Sequence, residues 1–243
     1  MQPSINPGNE SIPQEEDQGR ERNAVVLPKL RSFQAHNVPL PRLSPGWLDW
    51  EAPIDLEIGC GAGLHPILYG RENPHRSLLA IEHTQNRFKK FQRRLAHHPD
   101  IRNVTAIHAN AISYITHFVP PRSIDRIFIL YPNPHPKERH EHRRWYAMPF
   151  MERILESLVH GGELTMATNI RTYSERATLF LTEYWGMKSI ARHELHRDHF
   201  DPRQGRTHFE RKYLETGHTC FRETFRIEIN PAHDNRSDAE KTT

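Results

Sequence analysis

A short apolar run that breaks into alternate glycines, Asp55-Leu-Glu-Ile-Gly-Cys-Gly-Ala-Gly63, constrains this chain more than any other stretch. A strand that ends this way leaves through a tight turn with almost no side-chain bulk. Glycine is the residue that tolerates the positive φ angles and close ligand approach of such a turn. The next predicted strand ends in Ala80-Ile81-Glu82. An acid at that place suits the two hydroxyls of a ribose, which a carboxylate accepts as a pair. Together the two features predict a nucleoside site at the edge of an α/β sheet.

Spacing narrows the ligand. A dinucleotide fingerprint needs G-x-G-x-x-G opening a helix that supports a pyrophosphate. Here the glycines are Gly59, Gly61 and Gly63 and position 64 is Leu, so the third glycine is out of place. With Glu57 inside the strand end, the E-x-G-x-G-x-G form resembles the S-adenosylmethionine methyltransferases. The cofactor of that family has no phosphate but carries a cationic amino group, for which Glu57 is the expected partner.

Composition sets the frame. A chain of 243 residues is long enough for one α/β domain with tails. Residues 1–23 carry five acids against two arginines, with repeated Pro, Gly, Asn and Gln and no apolar period, so a disordered tail is expected there. Residues 24–229 then form the domain and 230–243 a solvated tail. No signal-peptide core or membrane-length apolar run is visible. The two cysteines, Cys60 and Cys220, read as reduced thiols of a cytosolic protein rather than a disulfide framework.

From residue 54 onward apolar runs alternate with amphipathic stretches. Residues 54–58, 77–81, 104–108, 124–131 and 163–168 are predicted strands. Residues 64–71, 84–97, 111–118, 145–160 and 171–185 are predicted helices, the fourth ended by Gly161-Gly162. Residues 187–195 and 219–229 fit a closing pair of strands with a polar loop between them. Strand–helix alternation implies a mostly parallel sheet with helices on both faces and ligands at the strand carboxyl ends.

The fourth strand runs into Leu130-Tyr-Pro-Asn-Pro-His-Pro-Lys137 and then Glu-Arg-His-Glu-His-Arg-Arg144. Alternating prolines stiffen the backbone and stop ladder continuation. That places Asn133 and His135 over the cofactor edge. Lys137, Arg139, His140, His142, Arg143 and Arg144 suit phosphate contacts, although Glu138 and Glu141 leave a solvated charged loop equally open.

These motifs, in this order, resemble the tRNA (guanine-N7)-methyltransferases over roughly residues 25–228. The family's L-E-I-G-C-G-x-G is matched by residues 56–63, its I-E by Ile81-Glu82, and its P-D-P-W-P-K-x-R-H-x-x-R-R by residues 132–144. Its T-D corresponds to Thr168-Asn169, its T-x-F-E to Thr207-His-Phe-Glu210, followed by Gly217-His218. The resemblance implies a class I Rossmann-like methyltransferase with a seven-stranded sheet, S-adenosylmethionine as cofactor and tRNA as substrate, in a cytoplasmic monomer or homodimer. It implies that Glu57, Gly59, Gly61, Gly63, Glu82, Asn110 and Asn133 line the cofactor. Lys137, Asn169, Thr207, His208, Phe209 and Glu210 would hold the target nucleoside, and Arg139 to Arg144 would face RNA. Asn133 and Asn169 stand where the family has aspartates and would position the reacting groups; His135 stands where it has tryptophan.

Guanine N7 has an in-plane lone pair and no proton, so attack on a sulfonium methyl needs no general base; orientation governs the displacement. Two readings stay beside this one. Asn133-Pro is similar to the N-P-P-[FY] of amino-directed methyltransferases, and the two Asp→Asn departures fit a non-catalytic RNA-binding paralogue. The run His193, His196, His199 is spaced for one face of a helix, but its surroundings read as strand and loop, so no metal is expected.

Overall fold

The computed structural model describes residues 27–41 and 53–228. The expected tails, 1–23 and 230–243, lie outside the described residues. One sheet of seven strands, in the order β3-β2-β1-β4-β5-β7-β6, organises the rest. Its strands are β1 Ile54–Ile58, β2 Ser77–Glu82, β3 Val104–His108, β4 Ile124–Leu130, β5 Leu158–Thr168, β6 Met187–Leu195 and β7 Cys220–Ile227. The helices are α1 Leu64–Glu72, α2 Gln85–Ala96, α3 Ala111–Phe118, α4 Met151–Ser157, α5 Arg171–Leu179 and α6 His208–Glu215. The first five strands pair in parallel, and β7 inserts antiparallel between β5 and β6. Among the described residues no helix is long and apolar enough to cross a membrane.

The alternation of β1 explains how one central strand serves two cores. Ile54, Leu56 and Ile58 join the larger apolar cluster on one face. Asp55 and Glu57 point to the other face, which α1 covers, and both are buried. Burying a carboxylate is costly unless it is hydrogen-bonded, and each has partners. Asp55 accepts from Tyr69 Oη at 2.5 Å and from both Nε and Nη2 of Arg76 at 2.7 and 2.6 Å. Burial, then the bond to the Asp55 carboxylate, push the Tyr69 phenol up to about 12. On the face of the large cluster, Leu27, Leu30 and Phe33 pack against it, with Phe33 edge-on to Phe150 at 5.2 Å.

Three expectations need correction. The predicted helix over residues 145–160 is instead a 3-10 turn at Trp145–Ala147 followed by the short α4. Pro149 is the reason, because a residue before proline is driven out of the helical region; Met148 has ψ 140. Gly161-Gly162 does not end a helix but lies within β5. There the register against β4 jumps from Ile124↔Leu158 to Arg126↔Glu163, and Gly161 takes φ 75. The polar loop expected between β6 and β7 contains α6. Thr207 Oγ1 caps that helix by accepting the Glu210 N–H, and its end is closed by the Gly217 N–H donating to the Leu214 carbonyl and the His218 N–H to the Tyr213 carbonyl.

Candidate active site

The chain turns in opposite directions from β1, to β2 on one side and β4 on the other, so a crevice opens at the strand carboxyl ends. Two clefts meet there, of about 290 and 220 Å³. The first runs past Ile58, Glu82, Asn110, Asn133 and Trp145; the second past Glu57, Gly61, His65, Lys90 and Thr207. Gly59, Arg87, Leu130 and Phe209 border both.

The glycine turn divides the two clefts. Gly59, Gly61 and Gly63 have φ of 77, 61 and 80. A Cβ on Gly59 or Gly61 would meet nothing within 4 Å, so these two leave open space on the ligand side. Gly63 differs: its Cβ would lie 1.9 Å from Phe91 Cδ2, inside the protein. The turn is held by backbone bonds from Gly59 and Cys60 to the Ile81 carbonyl, and Arg94 Nη1 grips the Ala62 carbonyl at 2.5 Å.

Both expected acids are at this turn, with partners that the motif did not reveal. Glu57, 2% exposed, shares a 2.8 Å contact between Oε2 and His65 Nδ1, and His65 is itself 3% exposed. Glu82, the last residue of β2, accepts the Gly61 N–H at 2.8 Å through Oε2 and the Thr84 N–H at 2.6 Å through Oε1. Each carboxylate oxygen has two acceptor positions, so neither group is exhausted. These residues fit S-adenosylmethionine: a carboxylate on either side of a bulk-free turn, one for a cationic amino group and one for a diol.

The remaining expected residues divide sharply. Asn110 caps α3, its Oδ1 accepting from Ile112 and Ser113 N–H groups at 2.9 and 3.3 Å. It therefore offers its amide donors to the first cleft. Asn133 borders that cleft, and its Oδ1 accepts the His135 N–H at 3.1 Å. Tyr131 and His135 on either side carry positive φ, 52 and 43, without being glycine, a strained backbone that surrounding structure must hold. Burial and the nearby Arg143 and His140 charges hold the His135 imidazole below its usual range. Asn169 follows β5, and neither it nor Lys137 borders the two clefts.

Glu210 corrects another expectation. It is 1% exposed, and its carboxylate is taken up by Tyr131 Oη at 2.8 Å, Arg222 Nη2 at 2.7 Å and the Arg206 N–H at 2.9 Å. It braces α6 from below rather than presenting an acceptor to a base. Thr207, His208 and Phe209 do reach the second cleft, and Phe209 is the exposed aromatic between the clefts. Arg144 also turns inward. Its guanidinium donates to the Pro134 and His135 carbonyls and to Tyr146 Oη, so it buttresses the proline turn rather than facing RNA. Arg139, His142 and Arg143 remain exposed, with His140 partly so.

Sequence reasoning passed over His65, Arg87 and Lys90. His65 carried no signal of its own, since its pairing with Glu57 exists only once α1 packs on β1. The basic run after Glu82 could have pointed to the other two.

Comparison with known proteins settles the family. A family model described as "Putative methyltransferase" matches residues 51–223. The tRNA (guanine-N(7)-)-methyltransferase of Buchnera aphidicola subsp. Baizongia pistaciae is 31% identical over 180 residues, 74% of each chain. That of Roseobacter denitrificans is 30% identical over 202 residues, 76% of this chain and 85% of its own. The chain belongs to the tRNA (guanine-N7)-methyltransferase family. Among solved structures, the 16S rRNA methyltransferase KamB superposes with a TM-score of 0.54 at 16% identity, over 73% of this chain and 88% of its own. At that identity the likeness speaks for the class I methyltransferase fold alone.

Proposed function

We infer that this family member transfers the methyl group of S-adenosylmethionine to N7 of a guanine in tRNA. The observation that carries the reading is the placement of Glu57 and Glu82 on either side of the glycine turn, at the switch point of the sheet, in a chain of this family. The donor supplies an electrophilic methyl group on a sulfonium, and the residues around the clefts do the rest. Glu57 meets the donor's ammonium while His65 fixes the carboxylate's orientation. Glu82 receives the ribose hydroxyls, and its bonds to Gly61 and Thr84 keep it aimed. The Asn110 amide donates toward the purine of the donor.

Phe209 offers an apolar face between the clefts for the incoming base, and Asn133 lies at the rim where the base enters. Guanine N7 carries no proton, so the site needs no base, and none of the rim residues is asked to remove one. What these residues supply is alignment of the lone pair with the methyl–sulfur axis and a dipole for the charge that arrives on the purine. Asn133 provides that dipole as an amide, weaker than a carboxylate by about 1–3 kcal/mol. Arg139 and Arg143, outside the cleft, contact phosphates. Incubation of purified protein with tRNA and labelled donor tests the reading: N7-methylguanosine is expected after digestion, and its absence with intact donor binding would overturn it.

A further inference from the structure

The helix after Glu82 carries a charge pattern of which the fold uses only Arg94. The 12 residues of α2, Gln85–Ala96, include Arg87, Lys89, Lys90, Arg93 and Arg94 and no acid. Neither Asp nor Glu occurs anywhere in residues 83–99. Phe88 and Phe91 take the buried side, so the cations crowd onto the rest of the surface at spacings of three and four. Like charges so placed repel one another. A solvated face in a stable fold usually dilutes such repulsion with acids, as Glu141 does for Arg144 and Arg176 in the proline-rich segment. Among the described residues none of the five has a carboxylate partner.

Position gives the pattern its direction. Arg87 and Lys90 border the second cleft, and Arg87 also borders the first. Arg94 reaches from α2 to the Ala62 carbonyl and to His208 Nε2, at 2.5 and 2.6 Å, so the helix is locked to the glycine turn and to α6. Lys89 and Arg93, one turn apart, are exposed beyond the rim and border neither cleft. A polyanion entering the clefts passes along the outer pair before it meets the inner cations.

We propose that the outer face of α2, through Lys89 and Arg93, is a phosphate-binding surface for the RNA substrate, on a separate element from the Arg139–Arg143 segment. Continuity with the clefts commits it to RNA, because Arg87 of the same helix lies 5.8 Å from the Phe209 ring and both border the two clefts. The proposal rests on the tRNA reading above.

The test compares full-length protein with the Lys89→Ala/Arg93→Ala variant, measuring tRNA affinity across a series of salt concentrations. Loss of two phosphate contacts should flatten the slope of log affinity against log salt by about 1.5 units. It should also weaken binding at low salt roughly tenfold or more. Affinity for S-adenosylhomocysteine should not change, and the charge-keeping variant Lys89→Arg/Arg93→Lys should bind like the parent. An unaltered slope in the alanine variant, while the parent methylates tRNA, overturns this proposal and leaves the tRNA reading standing. Weak binding by the charge-keeping variant as well overturns it too, since shape and not charge would then matter. A parent that neither binds nor methylates tRNA overturns both.

Discussion

Tyr131 Oη donates a 2.8 Å hydrogen bond to Glu210 Oε2, joining the residue just after β4 to the first turn of α6. Burial, then the Glu210 charge, push the Tyr131 phenol up, so it remains a donor throughout the working pH range. Removing the acceptor strands Arg222, whose side chain is itself mostly buried. Glu210→Ala should therefore cost about 3–5 kcal/mol of stability, read from urea unfolding. Loss of less than about 1 kcal/mol would contradict a bracing role.

Glu57→Gln separates charge from shape at the base of the second cleft. His65 can still bond to the amide oxygen, so the fold should hold. The donor's ammonium loses its counter-charge, and affinity for S-adenosylhomocysteine should fall by about ten- to a hundredfold, or about 1.4–3 kcal/mol. Adenosine, which lacks the amino-acid portion, should bind as before. Equal losses for both ligands in calorimetry would place the effect on the turn and not on the ammonium.

Restoring the family's acids tests whether the amides limit the rate. With Asn133→Asp and Asn169→Asp together, a carboxylate near the developing purine charge should raise the methyl-transfer rate by up to about a hundredfold. Single-turnover kinetics reads this step directly. A rate equal to or below the parent would mean that the amides are adapted to the substrate.

The arginines of the proline-rich segment should part company. Arg139→Ala/Arg143→Ala should lower the salt slope of tRNA binding by about 1.5 units at unchanged melting temperature. Arg144→Ala removes bonds to the Pro134 and His135 carbonyls and to Tyr146. It should lower the melting temperature, along with tRNA affinity, because the strained turn loses its support. Identical behaviour of the two variants would defeat this division.

Cys60 and Cys220 are both buried free thiols. Burial, with Glu57 and Glu82 beside Cys60, pushes that thiol well above the ordinary range, and burial raises Cys220 too. Thiolate is the reactive form, and at pH 8 both remain protonated in the fold. A thiol-reactive chromophore should find almost none in native protein and two in denaturant; rapid native labelling of Cys60 would show the turn to be open.

Much of this arrangement is legible in the chain itself. Short apolar runs bounded by breakers mark strands β1 to β4, and the glycine turn with Glu57 and Glu82 marks the site. What escapes is of two kinds. Local signals were present but outweighed: Pro149 beside Met148 forbids a continuous helix, and Thr207, Glu210 and Gly217 together spell the start and end of α6. Other features have no local signature. Arg143 and Arg144 are neighbours of one type, yet one is exposed and the other points at carbonyls nine and ten residues back. Only the course of the proline turn decides between them. Likewise Asn110, placed at the cofactor by the resemblance, also caps α3 through its side-chain oxygen.

Gly59 and Gly61 answer to the ligand side of the turn, but Gly63 answers to Phe91. Positions 63 and 91 are thus one choice rather than two: a side chain at the first excludes a large ring at the second. A relative with alanine at 63 must seat α2 on something smaller, and that would reset the height of the basic helix above the clefts. The third glycine of the motif is selected from the interior, by the helix that the substrate is proposed to meet.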